Sequence, residues 1–260
     1  MELAVRTVKV LDRLVDFLLR LLLIIVLLFG LYALGDTYMV FSDASLDDAL
    51  LSYKPELLSP DGSNPTLAEL AAINPDIRAW LTIDDTSIDY PITQGADNIK
   101  YINTDATGEF SLSGSIFLDY SCAGDFSDFY SLLYGHHMEG GVMFGAIDSF
   151  MKKDYFDKHT HGTLYLPDAT YDMELFAILS VDAYDRYVFT PGAKSQEEAD
   201  ELLAYIRDNA KVYRDMGVTA QDRIIAMSTC ADTQTNGRTV LYGKLTQIDF
   251  TQQGDETKTL

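Results

Sequence analysis

From residue 79 onward the chain is broken into short runs rich in β-branched and aromatic residues: WLTI, IDYPI, SGSIFLDY, residues 130–134, GTLYLP, YDMELFAILSVDAY, RIIAMST and TVLYGKL. Gly, Asn, Asp or Pro separates them, and alternation at period two gives each run one core-facing side. So many short strands are best accommodated by a closed or nearly closed antiparallel sheet, which leaves few open edges. One segment departs from the period. SQEEADELLAYIRDNAKVYRDMG, residues 195–217, opens with Ser195 and Glu198 in capping-box spacing and sets Leu202, Leu203, Ile206 and Val212 on one side, which predicts a helix between two strands. The expectation is a mainly β fold with peripheral helices.

Ahead of the β region, residues 21–34 (LLLIIVLLFGLYAL) carry no charge, the apolar stretch extends from Phe17 to Phe41 if Arg20 and Asp36 are tolerated near its ends, and the span is expected over 17–35. About 20 mostly apolar residues cross a bilayer. Arg6, Lys9, Arg13 and Arg20 precede this stretch, and Lys54 is the only basic residue in the twenty that follow Gly35. Charge asymmetry of that sign predicts a single-pass plasma-membrane anchor with a cytoplasmic N-terminus (1–16) and an outer remainder. The competing reading, a cleaved signal peptide, fits less well because the apolar run outlasts a typical signal core. Residues 36–73 then read as a stalk with helices: Leu46, Ala49 and Leu50 at helical spacing within 42–59, a breaker SPDGSNP, and a helix with Leu67, Leu70 and Ala71 on one face behind Pro65.

Forty acidic residues against nineteen basic ones give a formal charge of −21, and the part beyond residue 35, with fifteen basic and thirty-seven acidic residues, carries −22. Such a surface excludes non-specific nucleic-acid binding. Two cysteines, Cys122 and Cys230, make no disulfide framework, and both read as free thiols. Cys122 follows SIFLDY and reads as a loop thiol. Four histidines fall in two pairs: His136 and His137 in LLYGHHMEGGVMFG, and His159 and His161 in FDKHTHGTLYLP. The second pair has the spacing of a two-ligand metal edge, but no third ligand stands nearby, so surface histidines are expected and neither metal nor cofactor is.

Cys230 closes RIIAMST, is followed by the polar ADTQTNG, and shares its region with Arg238 at the head of the next run. A thiol there needs a proton-transfer partner and a group to hold an oxyanion; a histidine and an arginine would supply both. A buried core cysteine is the plain alternative, and spacing alone leaves the two open.

The blocks NPDIRAWLTIDDTSIDYPITQG, GSIFLDY, LLYGHHMEGGVMFG, AMSTC and GRTVLYGKL, in this order behind an N-terminal span, resemble the class B sortases, membrane-anchored cysteine transpeptidases of Gram-positive bacteria. The resemblance runs over residues 74–250, leaving 251–260 as a polar tail. It implies an eight-stranded sortase-type β-barrel in which Cys230 ends the seventh strand as nucleophile and Arg238 opens the eighth. The 195–217 helix fits the long insertion before the seventh strand that marks class B. The resemblance also implies that the histidine after YG acts in catalysis, hence His136, although His137 stands where the family usually has asparagine. Ser228 and Thr229, on the strand end before Cys230, are implied in substrate binding.

The implied reaction cleaves a C-terminal sorting signal of a secreted protein, NPxTN-like or LPxTG-like, after its threonine. The thioacyl group then passes to an amine of a lipid II-like peptidoglycan precursor or to a pilin lysine. The chain order, histidine before cysteine, sets this reading apart from papain-like hydrolases, and neither cysteine carries the signature of an L,D-transpeptidase. An anchored acidic β-domain that binds a wall ligand without catalysis remains the alternative of a different class. Unperturbed pKa values of about 8.5 and 6.5 leave roughly 1% of molecules with thiolate and imidazolium together near pH 7.4, which predicts a slow enzyme.

Overall fold

The structure, a computed structural model, describes residues 2–44, 48–56, 63–230 and 236–249. It falls into two compact units, Met1–Ser42 and Asp43–Leu260. The first is the body of helix α1 (Glu2–Ala44), in which Val5–Met39 is long and apolar enough to cross a membrane. The helix runs well past the expected span of 17–35 on both sides. Composition marks only the uncharged centre, whereas no proline interrupts the charged flanks.

Of the helical stalk expected over 42–59, the described helical residues are the end of α1, up to Ala44, and a single turn, α2 (Asp48–Leu51); residues 52–56 are not helical, and 45–47 and 57–59 lie outside the described residues. Leu50 and Tyr53 pack against Leu67, Leu70 and Trp80 instead. Lys54 Nζ lies 2.5 Å from Asp89, whose other oxygen accepts the Trp80 indole N–H at 2.7 Å. Helix α3 (Pro65–Ile73) begins on its proline and buries Leu67 and Leu70, as expected.

The barrel strands are β1 (Ile77–Ile83), β2 (Asp89–Thr93), β3 (Ile116–Leu118), β4 (Tyr130–Tyr134), β5 (His161–Leu166), β6 (Ala169–Asp182), β8 (Arg223–Cys230) and β9 (Gly237–Gln247). They are ordered β5-β1-β2-β3-β4-β8-β9-β6, and β6 pairs back to β5, so the sheet closes. The two-residue β7 (Val212–Tyr213) adds to β6. The expected all-antiparallel pairing is corrected at two places: β2–β3 and β4–β8 are parallel. Hairpins cannot join parallel neighbours, and the long connections 94–115 and 135–222 stand where tight turns would be needed for antiparallel ones.

Trp80, Tyr130, Phe176 and Tyr242 are fully buried, with Tyr130 and Tyr242 stacked at 6.2 Å between ring centroids. Helix α4 (Lys153–Lys158) and the 3-10 segment Phe144–Met151, neither anticipated, bury Phe144, Ile147, Phe150 and Phe156. Helix α5 (Gln196–Asn209) has the expected capping box, in which the Ser195 hydroxyl accepts from Glu198 N–H while the Glu198 carboxylate accepts from Ser195 N–H. It ends eight residues before the expected position. β5 covers β6 only over Ala169–Glu174, and the edge beyond is taken up by β7, with Lys211 N–H donating to Ile178 at 2.8 Å and Arg214 N–H to Phe176 at 2.7 Å.

Candidate active site

Three neighbouring strands end together at one mouth of the barrel. β8 and β9 pair antiparallel, and their last partners are Thr229 with Thr239 and Cys230 with Arg238. On its other side β8 runs parallel to β4, the last pair being Tyr134 with Ser228. Two residues beyond that pair on each chain stand His136 and Cys230, and Gly135 N–H donates to Ser228 at 3.1 Å, continuing the ladder. Histidine, cysteine and arginine thus sit on three adjacent chains at one level, with about 4.8 Å between neighbouring strands. The Cys230 side chain and residues 231–235, the expected polar ADTQTNG segment in large part, lie outside the described residues.

A cleft of about 400 Å³ opens at this mouth, and its lining includes His136, Ser228, Thr229 and Arg238. Four of the five sequence-derived site residues therefore meet in one cavity, and Cys230 closes the strand that carries Ser228 and Thr229. The Ser228 and Thr229 hydroxyls are buried without a hydrogen-bond partner among the described residues. Such groups gain by meeting a polar ligand. Arg238 is half-buried, and Nη1 donates to the Gly237 carbonyl at 2.9 Å, which orients the guanidinium.

His136 leaves β4 into a tightly held bend. Phe144 N–H donates to its carbonyl at 3.1 Å, His137 bridges Met143, and Met143 N–H donates to the Tyr90 hydroxyl at 3.0 Å. Glycines permit this closeness. A Cβ on Gly135 would stand 2.4 Å from the Phe144 ring, and one on Gly145 would stand 2.0 Å from the Met138 carbonyl. His136 faces the cleft while His137 turns away to Asp148, Nε2 to Oδ2 2.8 Å. Partial desolvation of His136, reinforced by the neighbouring His137, holds its pKa below the usual histidine value.

Behind the cleft wall lies a buried carboxylate that the sequence did not signal. Asp119 accepts from Asn98 Nδ2 at 2.8 Å and from the Tyr134 hydroxyl at 2.9 Å, both residues of the lining, and from Ser121 N–H and Oγ–H at 2.9 and 2.6 Å. Burial and the Asp119 charge push the Tyr134 phenol far up, so it stays a donor. The blocks FLDY and LLYG carried both residues, but period-two reading places them only as strand ends.

The remaining chemical candidates stand elsewhere. His159 Nδ1 is 2.8 Å from the Tyr155 carbonyl, and its ring stacks on Tyr155. His161 is the first residue of β5, 3.6 Å from Glu174 and 3.9 Å from Asp172. Among the described residues no group of three ligating side chains could hold a metal. Cys122, read as a loop thiol, lies in a turn but is buried, and burial raises its pKa to about 12.

The family model described as a sortase domain matches residues 81–246. A curated relative, Sortase B of Listeria monocytogenes, is 32% identical over 206 residues, 77% of this chain and 83% of that protein. Among solved structures, a Streptococcus pyogenes class B sortase involved in pilus biogenesis is 42% identical with a TM-score of 0.63, covering 69% of this chain and 97% of its own. A Staphylococcus aureus sortase B–substrate complex is 27% identical with a TM-score of 0.68, covering 73% and 88%. The chain belongs to the sortase family of transpeptidases and, within it, to class B.

Proposed function

We propose that this chain is a membrane-anchored cysteine transpeptidase that cuts a C-terminal sorting signal of a secreted protein, NPxTN-like or LPxTG-like, after its threonine. The observation that carries the reading is the register of β4, β8 and β9, which brings the backbones of His136, Cys230 and Arg238 to the ends of adjacent strands, with His136 and Arg238 lining one cleft. The Cys230 thiolate attacks the threonine carbonyl carbon, forming the S–C bond, and Arg238 holds the developing oxyanion. As the C–N bond breaks, imidazolium at His136 protonates the leaving amine. An incoming amine then attacks the thioester, gives its proton to His136 and releases the thiolate. The Ser228 and Thr229 hydroxyls offer polar contacts to the bound peptide.

The acceptor is an amine of a lipid II-like precursor or of a protein lysine. The 42% identity to a class B sortase involved in pilus biogenesis, against 27% to the S. aureus enzyme, supports the lysine arm. The N-terminal helix is read as a single-pass plasma-membrane anchor with its basic flank in the cytoplasm and the domain from 74 to 250 outside; its length and apolar composition support this. Mass spectrometry of the full chain in detergent, incubated with NPxTN-type or LPxTG-type peptides and either a glycine-type or a lysine-type amine, tests the reading. A thioacyl adduct on Cys230, absent from Cys230→Ala and discharged by one amine, is the expected result. A folded protein that forms no adduct with either peptide would count against it.

A further inference from the structure

Beside the cleft, the loop 98–113 displays four large apolar side chains that the core does not cover. Ile99, Ile102, Phe110 and Leu112 are 72%, 52%, 74% and 42% exposed. The loop that carries them is firmly built. Asp97 Oδ1 accepts from the N–H groups of Ile99 and Lys100 at 2.9 and 3.0 Å, and Asp105 Oδ1 accepts from those of Thr107 and Glu109, each at 2.9 Å. Thr104 bridges Phe110, and Ser111 N–H donates to Asn103 at 3.1 Å. Tyr101 is buried, with its hydroxyl 3.0 Å from Asn74 Nδ2 and 2.9 Å from Asp76. The apolar side chains are therefore held in water by an ordered backbone, the pattern that marks an interaction surface.

Ile102 also lines the catalytic cleft, so the ledge continues from it. A polypeptide substrate is longer than a 400 Å³ cleft and must leave across a rim. We infer that the ledge formed by Ile99, Ile102, Phe110 and Leu112 seats an apolar segment of the substrate flanking the residues held in the cleft; this rests on the peptide-cleaving reading above. Charge argues against the other occupants. Asp97, Asp105 and Glu109 border the ledge, and a second copy would bring a further formal charge of −21 against the first. Anionic lipid is disfavoured for the same reason.

The test measures peptide binding to the full chain in detergent, in a Cys230→Ala background, by fluorescence anisotropy. Each probe carries the same sorting core with either Leu-Ile-Leu or Ser-Gly-Ser placed before or after it. An apolar flank on one side is expected to tighten binding about tenfold. Ile99→Ser with Phe110→Ser should abolish that preference, with thermal unfolding confirming an intact fold, and detergent partitioning affects both proteins alike. Equal preference in both proteins, or no preference in the parent, overturns the ledge. Loss of turnover in Cys230-containing protein with the flank preference intact would sink the acyl-transfer reading and leave the ledge standing.

Discussion

In the proposed mechanism His136 protonates a leaving amine, and its surroundings work against the charge this requires. Burial first, and His137 second, depress its pKa, so less imidazolium is present at neutral pH than an unperturbed histidine would supply. His137→Asn removes the second cause. The histidine-dependent limb of the pH–rate profile should move to higher pH, with kcat rising at neutral pH if the bend is kept; an unmoved limb would show that His137 carries no charge influence. The folded pKa lies below the unfolded value of about 6.5, so the unfolded state binds the extra proton. The associated stability is complete above that pH and is lost as pH falls through it. The thiols offer a second check. Cys122 is buried with a pKa raised to about 12, so iodoacetamide at pH 7.5 should label the native chain once, at Cys230, and label both cysteines only after denaturation, as read by peptide mass spectrometry.

Among the elements, the bend after β4 places His136 at the cleft. Gly135→Ala would drive a Cβ into the buried Phe144 ring and the Ile116 side chain. Overpacking of this kind costs about 1–3 kcal/mol. A fall of at least about tenfold in kcat, from displaced His136, should accompany the lower urea midpoint; unchanged kcat in a destabilised protein would separate the bend from catalysis. Other elements show how local pattern yields to tertiary context. Residues 210–217 continue the amphipathic period of α5, yet Val212 and Tyr213 pair with β6, because there the chain's N–H groups also satisfy carbonyls of the β6 edge, which a further helical turn would not. The capping box at Ser195, by contrast, was legible because its donors and acceptors lie within four residues.

For the whole molecule, carboxylates held below their usual range set the acid limit. At Asp76 burial acts to raise the pKa, but hydrogen bonds from Lys100 and Tyr101 and the Lys100 charge outweigh it; at Asp222 the bonds from Lys244 and Thr219 do the same. Their folded pKa values lie below the unfolded value of about 3.9, so the stability they contribute is present above that pH and is lost as pH falls through the folded values. Relief of the −21 charge acts in the opposite direction as pH drops from neutrality. Urea midpoints should therefore hold or rise from pH 7 to about 5, where relief of repulsion outweighs the loss at His136, and fall below about 4. A monotonic fall from pH 7 would show that repulsion is negligible. Lys244→Met should soften the lower fall.

The sequence by itself determined the apolar helix, the run of short strands, the α5 cap and the five residues at the barrel mouth, because each is written in a local period or in an ordered motif. Only the tertiary structure decided that β2–β3 and β4–β8 run parallel, that His137 turns to Asp148 while His136 faces the cleft, and that Asp119 braces Asn98 and Tyr134. Those outcomes depend on contacts between segments far apart in the chain. Backbone pairing and buried charge select them only once the barrel closes, and no short window of residues encodes that closure.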